Sequence, residues 1–223
     1  MDKIAVSWSG GKDSCLALWR TIRSGSKVDY LLNTVRKESG RVAFHGVRAS
    51  LVQAQADALG VHLIQKEVGD EDYREVFLSG LEELREAGVR RMVFGDMDVQ
   101  QNREWCEGVC ASAGLAAHFP LWAGDQRELL SEFIRDRFRA VVVCVDSAYF
   151  EESDLGRNVD EKWLGDLEMG HNGKKCSTYC GENGEYHTFV FDGPAFKSPI
   201  RFSLGTHVLK TGHWLVDLAP AGS

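Results

Sequence analysis

Nowhere in the 223 residues do 18 apolar residues run together, so the chain offers no candidate for a membrane-spanning helix. A surplus of positive charge is missing too: 26 Lys and Arg stand against 33 Asp and Glu, and the net charge of −7 is spread along the chain. Proteins that grip nucleic acid by its phosphates need a basic face, so RNA and DNA are disfavoured partners. No charged-then-apolar leader precedes the first strand, and the expectation is a cytoplasmic protein. The six cysteines, Cys15, Cys106, Cys110, Cys144, Cys176 and Cys180, sit in a chain too large to need disulfide staples. They are expected to be reduced, with Cys15 and Cys144 acting as small core residues. Neither an internal repeat nor a low-complexity segment stands out. What is present, 43% hydrophobic and 26% charged residues, suits a globular protein with a real core.

The most informative stretch is Ser9-Gly10-Gly11-Lys12-Asp13-Ser14. An apolar run, Ile4-Ala5-Val6, precedes it, and after it Cys15, Leu18, Trp19 and Ile22 repeat at helical spacing, which predicts strand, glycine turn and helix. Adjacent glycines let a ligand approach the backbone, and the first-turn N–H groups of the helix point at it, so an anion such as phosphate belongs there. Two familiar phosphate loops are excluded. The Walker pattern needs a glycine where Val6 stands and Ser or Thr where Asp13 stands. The dinucleotide fingerprint needs glycines that are not adjacent, and a third one.

The first two thirds alternate apolar runs with amphipathic helices. Strands are expected at Val28–Val35, Val61–Val68, Met92–Phe94 and Ala116–Leu121, and helices at about Arg48–Leu59, Asp70–Ala87 and through Trp105 and Val109 to Gly114. This predicts an α/β fold: a mostly parallel sheet sandwiched by helices, with ligands at the carboxyl ends of the strands. Gly95 and Asp96 follow one strand and Gly10 and Gly11 another, so they open on the same edge. Asp96 is a candidate ligand for the nucleotide or a magnesium ion, or a helix N-cap. By the same logic His45 lies near that edge. From Asp125 the character changes: a helix over Gln126–Phe138, a strand over Ala140–Val145, a short helix at Glu161–Met169, then strands at His187–Phe191, Ile200–Leu209 and Trp214–Leu218. We expect an N-terminal domain over residues 1–124 and a smaller C-terminal α+β domain over residues 125–223.

A second polar signature, Gly181-Glu182-Asn183-Gly184-Glu185-Tyr186-His187, turns the chain into a strand. By composition it reads more readily as a polar hairpin loop with exposed glutamates than as a site. Ser9 to Ser14 matches all six positions of the PP-loop, S-G-G-x-D-S. Together with Gly95-Asp96, Pro120-Leu121-Trp122 and the C-terminal signature, it resembles the diphthine-ammonia ligase family over about Lys3 to Ile200. The resemblance implies an adenine nucleotide α-hydrolase-like fold. It also implies an ATP pyrophosphatase that activates a carboxylate as an acyl-adenylate, releases pyrophosphate, and lets ammonia displace AMP to give an amide. ATP, Mg²⁺, ammonium and a carboxylate acceptor are the partners implied, with diphthine on translation elongation factor 2 as the family's acceptor; a homodimer is compatible with it. Carried over, Ser9, Gly10, Gly11, Lys12, Asp13, Ser14, Gly95 and Asp96 would bind ATP. Lys12 would neutralise the departing pyrophosphate, Asp13 would ligate Mg²⁺, and Glu182, Glu185 and His187 would serve the acceptor side.

The eukaryotic pattern G-E-G-G-E-Y-E-T has glutamate where this chain has His187 and glycine where it has Asn183. Fewer carboxylates attract a cationic acceptor less. His187 is instead a candidate general base toward ammonium, and forms with histidine here resemble bacterial relatives. Two further readings remain open. One is a PP-loop enzyme modifying tRNA, disfavoured by the near-neutral segment His171 to Asp217, with five basic and four acidic residues. The other is a sensor that holds ATP without turning it over. Cys176 and Cys180 with His171 form an incomplete zinc set.

Overall fold

The computed structural model describes residues 2–43, 45–69, 72–170 and 176–221. The expected helix start at Asp70 and the proposed zinc residue His171 lie outside them. The elements run β1 (Lys3–Ser7), α1 (Lys12–Arg23), β2 (Tyr30–Arg36), β3 (Arg41–Val42), α2 (Ala49–Leu59), β4 (His62–Val68), α3 (Tyr73–Glu86), β5 (Val89–Val93), α4 (Gln100–Ala113), β6 (Ala116–His118), α5 (Gln126–Arg135), β7 (Arg139–Asp146), a 3₁₀ turn (Glu152–Asp154), α6 (Glu161–Met169), β8 (Tyr186–Asp192), β9 (Phe202–Lys210) and β10 (His213–Pro220).

Two sheets result. The first has the order β3-β2-β1-β5-β6, with β4 also paired to β2; every pairing in it is parallel except the short β2–β3 contact. The second, β8-β7-β10-β9, is antiparallel throughout. Mixed α/β architecture with a mainly parallel first sheet is therefore what the chain adopts.

Alternation along the strands divides the core. Ala5, Leu32 and Met92 face α3 and α4, where Phe77, Leu81, Leu84, Val109 and Cys110 meet them. Ile4, Val6, Leu31 and Val93 face the other way, into a larger cluster that holds α1, α2 and the apolar faces of β7, β8 and β10. The parallel sheet is thus buried on both faces, as such sheets require. One layer of that burial comes from the C-terminal half, so α1 is packed from both sides and Cys15, Ala17 and Leu18 are wholly buried. Side-chain caps close two helix starts: Asp125 accepts from the Glu128 amide at 3.0 Å, and Asp160 from the Trp163 amide at 2.9 Å.

Ion pairs fasten the halves at the rim. Arg20 pairs with Glu132, Trp19 Nε1 donates to Asp136 at 2.8 Å, and Asp217 on β10 accepts from Arg48 at 2.6 Å and Arg41 at 2.8 Å. The Arg48 guanidinium, with Arg41 beside it, holds the Asp217 carboxyl at about 2, below its ordinary 3.8. A depressed carboxylate stabilises the fold above its ordinary value, and that contribution is lost as pH falls through the folded value. Asp217→Asn should therefore cost about 1 kcal/mol at pH 7. The difference from wild type in thermal unfolding should shrink between about pH 4 and pH 2; a gap that persists at pH 2 would contradict the ion-pair account.

Candidate active site

The loop Ser7 to Gly11 leaves the carboxyl end of β1 and enters α1 at Lys12. Gly10 has φ of 82°, a left-handed value that favours glycine. Gly11 is required by close approach, since a Cβ there would lie 2.6 Å from His45 Cε1 and 3.2 Å from the Thr188 carbonyl oxygen. Gly95, after β5, is required for the same reason: its Cβ would lie 2.8 Å from the Asp13 carbonyl carbon and 2.9 Å from the Ser14 nitrogen. The first turn of α1 thus rests on the loop after β5. The Asp13 and Ser14 amides belong to the donors that a helix leaves for a ligand at its N-terminus.

Across the loop lies β8. Val190 N–H donates to the Gly10 carbonyl at 2.9 Å, Lys12 N–H donates to Thr188 Oγ1 at 3.0 Å, and the buried Gln55 amide donates to the Gly10 and Val190 carbonyls at 2.9 and 2.6 Å. Trp8 Nε1 completes that amide by donating to Gln55 Oε1 at 2.9 Å. Gln55 was not singled out from the sequence, although it shares a helical stripe with Leu51, Val52 and Ala56; a polar residue on an apolar face was the available signal.

A cleft of about 550 Å³ opens between these parts. Ser9, Lys12, Asp13, Ser14, Gly95 and Asp96 line it from the N-terminal half, and Gly181, Glu182, Gly184, Tyr186, His187 and Thr188 from the C-terminal half. His45 joins them, and Tyr73, Phe77, Phe94, Trp105 and Cys106 form an aromatic wall with Asn102. From the sequence, Phe94 is expected in a strand, and Tyr73, Phe77 and Trp105 are expected only in helices. Lys12, 3% exposed, reaches across: Nζ donates to Asp13 Oδ2 at 3.0 Å and to the Cys180 carbonyl, and lies 4.6 Å from the Tyr186 ring centroid. Burial works against its charge, but Asp13 and the Tyr186 and Cys180 side chains outweigh it, and Lys12 stays a cation.

Three carboxyls share the cleft with that cation. Burial raises Asp13 against the pull of Lys12, and burial raises Asp96 also. Glu182 is pushed up to about 8 by burial and by Asp13, against Lys12, with Asp96 and Asp98 adding to the rise. Among the described residues no group of three His, Cys, Asp or Glu side chains is placed to hold a metal ion alone. A magnesium ion suits the site only with phosphate oxygens completing its shell, which is how this cation usually binds. Cys176 and Cys180 are free thiols. Cys180 Sγ lies 3.3 Å from the Gln126 carbonyl.

Glu185 departs from expectation. Its side chain does not line the cleft; it is 1% exposed and accepts from Ser177 Oγ, from Thr178 Oγ1 at 2.9 Å and from the Asn183 amide at 3.0 Å. It shapes the signature loop that carries Glu182, because a buried carboxylate must spend its lone pairs on local donors. Gly10 and Gly11 likewise position the loop rather than line the cavity.

A glycine turn and helix N-terminus at the carboxyl edge of a mainly parallel sheet, beside a buried lysine and several carboxyls, define an α/β protein of the PP-loop type. The chain belongs to the diphthamide synthase family: the model of the diphthamide synthase N-terminal domain matches residues 2–117 and that of the C-terminal domain residues 125–216. Relatives named diphthine--ammonia ligase include those of Danio rerio, 28% identical over 86% of this chain and 83% of that protein, and Homo sapiens, 27% identical over 89% and 82%. The Schizosaccharomyces pombe relative of the same name is 27% identical over 86% of this chain, which spans only 34% of it. A solved structure described as a predicted subunit of tRNA methyltransferase from Methanocaldococcus jannaschii has a TM-score of 0.47 at 15% identity, covering 90% of this chain and 100% of that one; a likeness of that size carries no argument.

Glu185→Ala should remove an acceptor shared by several partly exposed donors and cost about 1–2 kcal/mol in denaturant unfolding. A loss below about 0.5 kcal/mol would show that the loop does not depend on it.

Proposed function

We propose that this chain is an ATP-dependent amide ligase of the diphthine–ammonia ligase type, acting in the cytoplasm. One observation carries the reading. The Lys12 ammonium of the glycine loop is bonded to Asp13 and to the Cys180 carbonyl and sits over Tyr186, so the phosphate loop and the C-terminal signature share one cleft. Residues 1–124 supply the ATP side and residues 125–223 most of the acceptor side.

In this reading the triphosphate lies along the first turn of α1, with the Asp13 and Ser14 amides and the Ser9 and Ser14 hydroxyls as donors. The aromatic wall of Tyr73, Phe77, Phe94 and Trp105 takes the purine, whose flat apolar faces match it. The acceptor carboxylate attacks the α-phosphorus, and Lys12 offsets the charge that develops on the departing pyrophosphate. Asp13, together with phosphate oxygens, would hold a magnesium ion, which would supply further charge neutralisation. Glu182 and His187 face the acyl-adenylate that results, and ammonia displaces AMP from it. Little covalent work falls to the protein, so positioning and electrostatics provide the rate.

The test incubates the chain with α-labelled ATP, Mg²⁺, ammonium and elongation factor 2 bearing diphthine. AMP that appears only with acceptor and ammonium together supports the ligase; ADP as the product would sink it. AMP formed with tRNA in place of the protein acceptor would favour RNA modification, and nucleotide binding without turnover under either acceptor would favour a sensor. Asp13→Asn should lower AMP formation at least about 10²-fold while far-ultraviolet circular dichroism is unchanged, and turnover at the wild-type rate would mean the loop is misassigned.

A further inference from the structure

His45 and His187 come from distant parts of the chain, yet their ring centroids lie 4.6 Å apart in the cleft beside the glycine loop. His45 Nδ1 lies 3.2 Å from the Thr188 carbonyl oxygen. A carbonyl can only accept, so Nδ1 carries the hydrogen and Nε2 keeps its lone pair. The ring is also fixed in place, with Cε1 packed against Gly11. The loop thereby carries on its flank an imidazole of defined tautomer, with a second imidazole against it.

We propose that His45 and His187 form the subsite for the nitrogen nucleophile, with His45 Nε2 taking the proton released when ammonia attacks the activated acyl carbon. The inference rests on the ligase reading above and deepens it. The step balances: the nitrogen lone pair forms the C–N bond, the electrons of the acyl C–O bond leave with AMP, and one N–H proton passes to His45. His187 packs against His45, narrows the approach and accepts a hydrogen bond from the incoming nitrogen.

Charge favours a neutral nucleophile here. Burial, set against the Thr188 hydrogen bond and reinforced by Lys12, lowers His45 to about 4. Burial, His45, Lys12 and His213 hold His187 well below its ordinary value. Both rings are therefore uncharged at neutral pH and free to accept. A second cation beside Lys12 is disfavoured by the same field, so ammonia is taken in preference to ammonium.

The test separates the two halves of the reaction in the full chain, with α-labelled ATP and elongation factor 2 bearing diphthine as probes. Acceptor-dependent ATP–pyrophosphate exchange without ammonium reports adenylation; amide formation against ammonium concentration reports the second half. His45→Gln should keep exchange within about twofold and lower the amide-forming kcat about 10²-fold, the usual scale of a lost general base. His187→Gln should raise the KM for ammonium about tenfold, the equivalent of one lost hydrogen bond. Wild-type values of both amide parameters in both variants would overturn the proposal. So would exchange and amide formation falling together, which would mark the rings as supports of the loop. Absence of exchange in the wild type would overturn the ligase reading, and the subsite with it.

Discussion

The edge of β8 is bonded to the glycine loop, and the rest of the structure depends on that contact. The Gly10 carbonyl and the Lys12 N–H take their partners from outside β1 and α1, and buried polar groups without partners are costly. Val190, Thr188 and the Gln55 amide supply those partners. Because β8 belongs to the second sheet, satisfying the loop also fixes the C-terminal half against the N-terminal one. The cleft is a consequence: it is the space left where the two halves meet around α1.

Charge in that space is arranged around a single buried lysine. Lys12 is held by an oxygen from each half, Asp13 and Cys180, and by the π-face of Tyr186. It pairs with Asp13, and its field adds to the burial that keeps His45 and His187 uncharged. Glu182, buried and near Asp13, Asp96 and Asp98, is pushed up to about 8 against the pull of Lys12. One side of the cleft is therefore polarised for anionic phosphate, and the other carries groups near neutrality. This mix of charged and near-neutral groups in one cleft suits the proposed reaction, which first breaks a phosphoanhydride and then joins an uncharged nucleophile to carbon.

Much of this architecture could be read along the chain. The expected helix over Glu161–Met169 is found at those residues, and the strand and helix order matches through β10, with ends moved by a few positions. Periodicity reports burial directly, which is why long amphipathic elements were legible. The two-residue β3 was not, because a pair of residues has no period. Glu185 and Gln55 were misjudged or passed over for a common reason. A glutamate beside glycines looks exposed and a glutamine in a helix looks like surface, yet both are buried to satisfy backbone and hydroxyl groups from other segments.

By itself, the sequence determined the strand–loop–helix unit, the edge of the sheet on which Gly10, Gly11, Gly95 and Asp96 would open, and the family to which the chain belongs. These rest on local spacing and on matches that colinear residues carry. Only the tertiary structure decided which polar residues meet: that Lys12 reaches Cys180 and Tyr186, that Thr188 orients His45, and that Glu185 turns inward. Those contacts join residues more than 140 positions apart in two of the three cases. Pairing over such distances follows from the packing of two sheets about one helix, which no local pattern encodes.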